Sequence, residues 1–165
     1  MRFVDSSAIQ TEVARAYRSV EIRLRRVLPD AEIEEMGSTA VPGLLTKGDL
    51  DVLVRVPAGA TYETALGSLK EELRIHQPEN WTDEFASFDA GVVDEVPVGV
   101  QLVAAGRESD ISFTRFWELL RHDETERRRY SEFKRSQENR DPDVYVTAKG
   151  EFIEAVLSAH NARTE

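Results

Sequence analysis

Met36-Gly37-Ser38-Thr39-Ala40-Val41-Pro42-Gly43-Leu44-Leu45-Thr46-Lys47-Gly48-Asp49-Leu50-Asp51-Val52-Leu53-Val54 ends one strand at Gly-Ser and sets two carboxylates two residues apart on the next. Successive side chains of a strand point to opposite faces, so Asp49 and Asp51 share one face and Leu50, Val52 and Val54 the other. Two neighbouring carboxylates repel unless a cation lies between them. A hard ion such as Mg²⁺ suits the pair, because it binds through one or two carboxylates plus substrate phosphates and keeps several waters. Exposed acids on an edge strand are the alternative. Against it, the apolar run Val52-Leu53-Val54 points to a buried strand, where paired unneutralised acids are costly. Gly37 permits a close turn, and Ser38 offers a hydroxyl and an N–H suited to a polyphosphate, with helix capping its other reading. Gly43 to Gly48 begins like a P-loop, but Asp49-Leu50 stands where Lys-Ser/Thr is required, so that motif is rejected.

The whole pattern, apolar-Gly-Ser, ten residues, then Asp-apolar-Asp-apolar, resembles the signature of the nucleotidyltransferase superfamily, the polymerase-β-like fold. The longer string Gly37-Ser38-Thr39-Ala40-Val41-Pro42-Gly43-Leu44, with Lys47 and Asp-Leu-Asp after it, resembles the GrpB family of small nucleotidyltransferase-like proteins. Phe113-Thr114-Arg115-Phe116-Trp117-Glu118-Leu119-Leu120-Arg121 stands where that family has a Phe-Arg-x-x-Leu-Arg helix. Tyr130-Ser131-Glu132-Phe133-Lys134 is similar to its Tyr-x-x-x-Lys element, and Tyr145 to Ile153 to its Tyr-x-x-Lys-x-x-Phe-Ile segment. The likeness runs from about Val27 to Ala159.

The resemblance implies an α+β fold, a small mixed β-sheet with helices packed on it and a helical C-terminal third. It implies Mg²⁺ and a nucleoside triphosphate, ATP or another, as cofactors. Asp49 and Asp51 would then be the catalytic metal ligands, and Gly37, Ser38, Lys47 and Lys149 nucleotide-binding residues. Lys47 as a solvated loop residue and Lys149 as a partner of helix carbonyls are the plainer readings. The family usually carries Leu-His-Val on the strand beside the carboxylates, where this chain has Val100-Gln101-Leu102. Polymerase-like enzymes place a third acid there. Gln101 is no base, although its carbonyl oxygen can accept a water or weakly ligate a metal. Two functions follow: nucleotidyl transfer to a small-molecule hydroxyl acceptor, or a catalytically weakened or inactive member that binds a nucleotide or phosphometabolite. Because family members occur joined to a dephospho-coenzyme A kinase, a coenzyme A pathway partner is a third implication.

Length fits one domain over 1–165, and 41% apolar with 32% charged residues indicates a soluble globular chain. A formal net charge of -10 argues against a broad nucleic-acid surface. The basic clusters at Arg23, Arg25, Arg26 and Arg127, Arg128, Arg129 sit among acids and read as solvated helix faces. No apolar run is long enough for a membrane span and none forms a signal core, so a cytoplasmic protein is expected. Cysteine is absent, which excludes disulfides and thiolate chemistry. His76, His122 and His160 show no metal-ligand spacing and are assigned neither to zinc nor to acid-base work.

Ile9, Val13, Tyr17, Val20, Leu24 and Val27 recur at helical spacing and predict a helix over 7–28 packed on the sheet. Strands are expected at 31–36, 49–56, 81–93 and 98–104, the last two antiparallel around Asp94 to Pro97. Residues 39–46 read as a loop or short helix interrupted by Pro42. Helices are expected over 61–73, 113–121, from Asp123 with Glu126 as a capping-box pair to about Asn139, and over 147–160. Tyr130 with Lys134 and Tyr145 with Lys149 are four apart, a spacing explained by packing on a helix.

Overall fold

The alternation that begins at Leu50 determines the architecture. In the computed structural model, which describes residues 2–164, the chain runs β1 (Val4–Asp5), α1 (Gln10–Val27), β2 (Glu32–Met36), β3 (Leu45–Thr46), β4 (Leu50–Val56), α2 (Ala60–Glu72), β5 (Arg74–His76), β6 (Phe85–Val93), β7 (Val96–Ala104), α3 (Glu108–His122), α4 (Glu124–Ser136) and α5 (Pro142–Thr164). Single 3₁₀ turns occupy Ser6–Ile9, Ser38–Ala40 and Pro78–Asn80. Five strands form one mixed sheet in the order β2-β4-β7-β6-β5. Only the central pair β4 and β7 is parallel. β1 and β3 make a separate antiparallel ribbon. This is the α+β arrangement, a mixed sheet with helices packed on it and a helical C-terminal third, that the sequence implies.

Leu50, Val52, Val54 and Val56 of β4 are all buried in one core with Val98, Val100 and Leu102 of β7. Val13, Ala16, Val20 and Leu24 of α1 and Tyr62, Ala65 and Leu69 of α2 close this core. The three- and four-residue spacing on α1 places those four side chains on a single stripe. On the other face, Leu53 and Val103 meet Phe116, Trp117 and Leu120 of α3, Tyr130 of α4 and Val156 of α5. The sheet is therefore covered on both sides, which is why β4 and β7 read as near-continuous apolar runs. Each such buried side chain contributes about 1.5–3 kcal/mol relative to exposure.

Asp51 and Arg55 break the apolar run of β4 on the face toward α3–α5. Arg55 is tied down: Nε donates to Asp110 Oδ1 at 2.5 Å and Nη2 to Thr114 Oγ1 at 2.9 Å, with Glu34 within 2.9 Å. These bonds fasten the first turns of α3 to the sheet and hold the Arg55 guanidinium firmly charged. Asp51 has no such cationic partner at contact distance among the described residues.

Several element boundaries depart from expectation. β5 went unrecognised because Arg74-Ile75-His76 is short and exposed. β6 begins at Phe85, since Trp81 to Glu84 turn back through a bridge between Thr82 and Phe85. α3 starts at Glu108, its polar first turn hidden because Asp110 accepts from Arg55 and from Gly106 N at 2.8 Å. α5 starts at Pro142, where proline suits the first helical position and Asp141 Oδ1 accepts from Asp143 N at 2.9 Å. The hairpin between β6 and β7 turns on Asp94 and Glu95 alone, both with positive φ, so Val96 and Pro97 already belong to β7. Asp123 does cap α4, accepting from Thr125 N and Glu126 N.

Candidate functional site

The site grows from the register of β4. Asp51 lies opposite Met36 on β2 and Gly99 on β7. Gly37, at φ +82°, turns the chain directly over its carboxylate: a Cβ there would stand 2.6 Å from Asp51 Oδ2. A Cβ at Gly99 would stand 3.3 Å from Oδ1. Two glycines therefore make room for one buried acid. Its hydrogen-bond partner is Gln101 Nε2 at a long 3.5 Å. Burial raises the Asp51 pKa and Asp49 raises it further, while Lys149, Lys47 and Gln101 pull it down.

Asp49 stands one residue ahead of β4, not within it, and about a third of its side chain is exposed. Lys47 Nζ lies 3.1 Å from its Oδ2 and occupies a counter-ion position over the pair. Gln101 Oε1 is buried without a hydrogen-bond partner among the described residues. Asp49, Asp51, Lys47, Gln101 and Lys149 all line one cleft of about 410 Å³, together with Phe113, Trp117 and Tyr145. Its far wall holds His76, Gln77 and Asn80.

Gly37 and Ser38 are placed differently. Gly37 packs against the Asp51 carboxylate, and both are absent from the cleft lining. The Ser38 hydroxyl accepts from Lys134 Nζ, which also donates to Leu45 O at 2.5 Å. Lys134 is 2% exposed, with Nζ 4.5 Å from the Tyr130 ring centroid. Burial drives its pKa well below the ordinary lysine value, and Lys149 adds to the shift against Asp49 and Asp51.

Lys134 thus clips the two ends of the 38–45 loop together, a role the sequence reading assigned to packing alone. The resemblance at Tyr130 to Lys134 carried the signal, since a lysine four residues from a tyrosine on an otherwise polar helix has no need to be buried. A second clip comes from the opposite side. Ser6 Oγ donates to Val41 O at 2.9 Å, Ser6 N to Leu44 O at 2.9 Å, and Gly43 N to Ser7 Oγ at 3.1 Å. Phe3 stacks near Tyr145, ring centroids 5.8 Å apart. His76, left without a role by its spacing, reaches the cleft because β5 joins the sheet edge.

The basic clusters face elsewhere. Arg23 bonds Glu72 and Arg127 bonds the carbonyls of Leu120 and Arg121, which accounts for them as helix-face and helix-end contacts.

The donor set fits a magnesium ion. Two carboxylates and an orphaned amide oxygen are hard ligands, and no group of three or more His, Cys, Asp or Glu gathers among the described residues. A site with two protein carboxylates leaves the remaining positions to substrate phosphates and water, the usual habit of Mg²⁺. No helix among the described residues is long and apolar enough to cross a membrane.

The family model described as GrpB protein matches residues 5–159. A UPF0157 protein of Vibrio cholerae is 32% identical over 163 residues, covering 95% of this chain and 82% of the relative. A UPF0157 protein of Halalkalibacterium halodurans is 30% identical over 148 residues, covering 85% and 73%. Among solved structures, the conserved protein GrpB from Enterococcus faecalis superposes with TM-score 0.74 at 18% identity, over 99% of this chain and 100% of that one.

Proposed function

This chain belongs to the GrpB family, and from that premise we propose that it is a Mg²⁺-dependent nucleotidyltransferase that binds a nucleoside triphosphate and modifies a small-molecule hydroxyl. The observation that carries the reading is Asp51. It is a buried carboxylate wedged between Gly37 and Gly99, paired with Asp49, and left with one long neutral hydrogen bond. A stable fold gains nothing from such an acid, and strongly perturbed groups in a cleft mark functional sites.

Asp49 and Asp51 would hold the ion, with Gln101 Oε1 beside them. Bound there, the ion supplies Lewis-acid polarisation of phosphoryl oxygens and neutralises developing charge. Lys47 and Lys149 on the cleft wall offer two cations to the phosphates, at the same end as the carboxylates. Gly37 packs against the carboxylate, and Lys134 fixes Gly37's neighbour Ser38. In the transfer itself the acceptor oxygen bonds the α-phosphorus and the α–β bridging P–O bond breaks. Pyrophosphate leaves with that electron pair, and the hydroxyl proton passes to solvent water.

Gln101 favours a second reading. A neutral amide stands where polymerase-like enzymes place a third acid, so the protein would bind nucleotide without turnover. Calorimetric titration with nucleoside triphosphates, with and without Mg²⁺, tests both. Mg²⁺-dependent binding lost in Asp49→Asn/Asp51→Asn supports the site, and no binding to any nucleotide overturns it. Pyrophosphate release then separates enzyme from binding module.

A further inference from the structure

The cleft changes character along its length. Lys47 and Lys149 stand at the carboxylate end. Beyond Gln101 the lining holds no carboxylate, lysine or arginine and is rich in amides, with Gln77, Asn80, His76 and Phe113 among its residues. Further out it runs into an adjoining groove that shares Asn80, Phe85, Ser112 and Phe113, and this exit is lined by Asp83, Glu84 and Glu108. Arg107 lies 3.4 Å from Glu84, which leaves Asp83 and Glu108 to set the sign.

The neutral wall is built to hold its shape. His76 O accepts from Ser87 Oγ at 2.7 Å and from Trp81 Nε1 at 3.0 Å. The next residue, Gln77, sits in the left-handed region at φ 44° and ψ 57°. A non-glycine residue held there is strained, and such strain gathers at ligand clamps. In the same row of the sheet, beyond Ser87, Gln101 Oε1 is buried and has no partner among the described residues.

We infer that this wall is the acceptor subsite, and that it takes a polyhydroxylated, non-anionic molecule, a sugar or amino sugar, in place of a nucleic-acid end. The inference rests on the nucleotidyl-transfer reading for the word acceptor, but not for the binding site itself. Amide groups offer a donor and an acceptor side by side, matching vicinal hydroxyls, and an aromatic face covers the C–H side of a sugar ring. A polynucleotide would have to pass its phosphates over Asp83 and Glu108, with no arginine or lysine lining that groove to receive them. An amine on the acceptor would gain from the same two carboxylates.

The test follows the side-chain amide signals of Gln77, Asn80 and Gln101 in ¹⁵N-labelled protein during addition of myo-inositol, glucosamine or oligouridylate. The nucleotide titration runs on the same samples. One or both sugars should shift all three amides, and oligouridylate should leave them in place. Glucosamine binding tighter than inositol, with the gain lost in Asp83→Asn/Glu108→Gln, identifies the amino sugar; equal binding identifies the neutral polyol. Asn80→Ala and Gln77→Gly should each weaken sugar binding by about fivefold, the loss of one hydrogen bond, and leave nucleotide affinity unchanged. Oligouridylate moving the same amides, or neither sugar moving them while nucleotide binds, overturns the subsite and leaves the nucleotide reading standing. Sugar binding without nucleotide binding does the reverse.

Discussion

Replacing Gly37 by alanine should be one of the most damaging single-methyl changes available in this protein. Two penalties are separable. The backbone at Gly37 has φ +82° and ψ -163°, a region open essentially to glycine, and forcing an L residue into it costs about 1–3 kcal/mol. The new Cβ would stand 2.6 Å from Asp51 Oδ2, so the carboxylate must retreat. Its retreat is limited, because Asp51 is buried with Gln101 Nε2 and the Gly99 backbone on its other side. Overpacking of that kind costs about 1–3 kcal/mol more. The sum, about 2–6 kcal/mol, is a large share of an ordinary domain's stability.

A double-mutant cycle with Asp51→Ala separates the two. Truncating Asp51 removes the carboxylate and leaves its Cβ 3.2 Å from the new methyl, so most of the overpacking disappears and the backbone penalty stays. Urea unfolding of the four proteins should give a favourable coupling of about 1–3 kcal/mol, while neighbours without mutual contact add within about 0.5 kcal/mol. Simple additivity refutes the wedge. A Gly37→Ala protein as stable as wild type refutes both penalties at once.

Asp51→Asn should stabilise the Mg²⁺-free protein by about 1 kcal/mol at neutral pH, as removals of strained functional groups often do, and abolish Mg²⁺-dependent nucleotide binding. Because folding raises the Asp51 pKa, the wild type should lose stability as pH rises through that raised value and regain it below the ordinary aspartate range. Urea midpoints across pH should show this slope in wild type and its reduction in the variant. Lys134→Met keeps the apolar stem but orphans Ser38 Oγ and Leu45 O, at a cost of about 1–3 kcal/mol for each buried acceptor. Its folded pKa is depressed, so wild-type stability should rise with pH between that depressed value and the unfolded lysine value of about 10.4. The methionine variant should lack that rise. Gln77→Gly relieves a left-handed residue and should raise the urea midpoint, an increase of about 1 kcal/mol; a fall would show that Gln77 makes contacts that outweigh its strain.

The parts of this molecule legible in the sequence are those written in periodicity or in short-range spacing. Leu50, Val52 and Val54 announce a buried strand and Val13 to Leu24 a buried helix face, whereas Asp49, expected on the strand with Asp51, stands one residue ahead of β4. What stayed hidden depends on register between distant segments. Nothing local says that Lys134 crosses to Ser38, 96 residues away, or that Gly99 backs Asp51. β5 was invisible because three exposed residues carry no alternation, and with it went the placement of His76 and Gln77 on the cleft wall. The late starts expected for α3 and α5 have one cause: polar first turns are satisfied by tertiary or capping bonds that composition alone does not distinguish from loop.

The 38–45 loop is gripped by residues 3–7 on one side and by Lys134 on the other, with Tyr145 and Lys149 completing the cleft above it. During synthesis the carboxylate strand emerges early with Lys47 beside it, yet Lys149 and the roof at Tyr145 lie about a hundred residues later. The ribosome must release α4 and most of α5 before the acidic pair has its surroundings, so a stalled or truncated chain carries the signature motif without a working pocket. Long-range closure of this kind also slows folding.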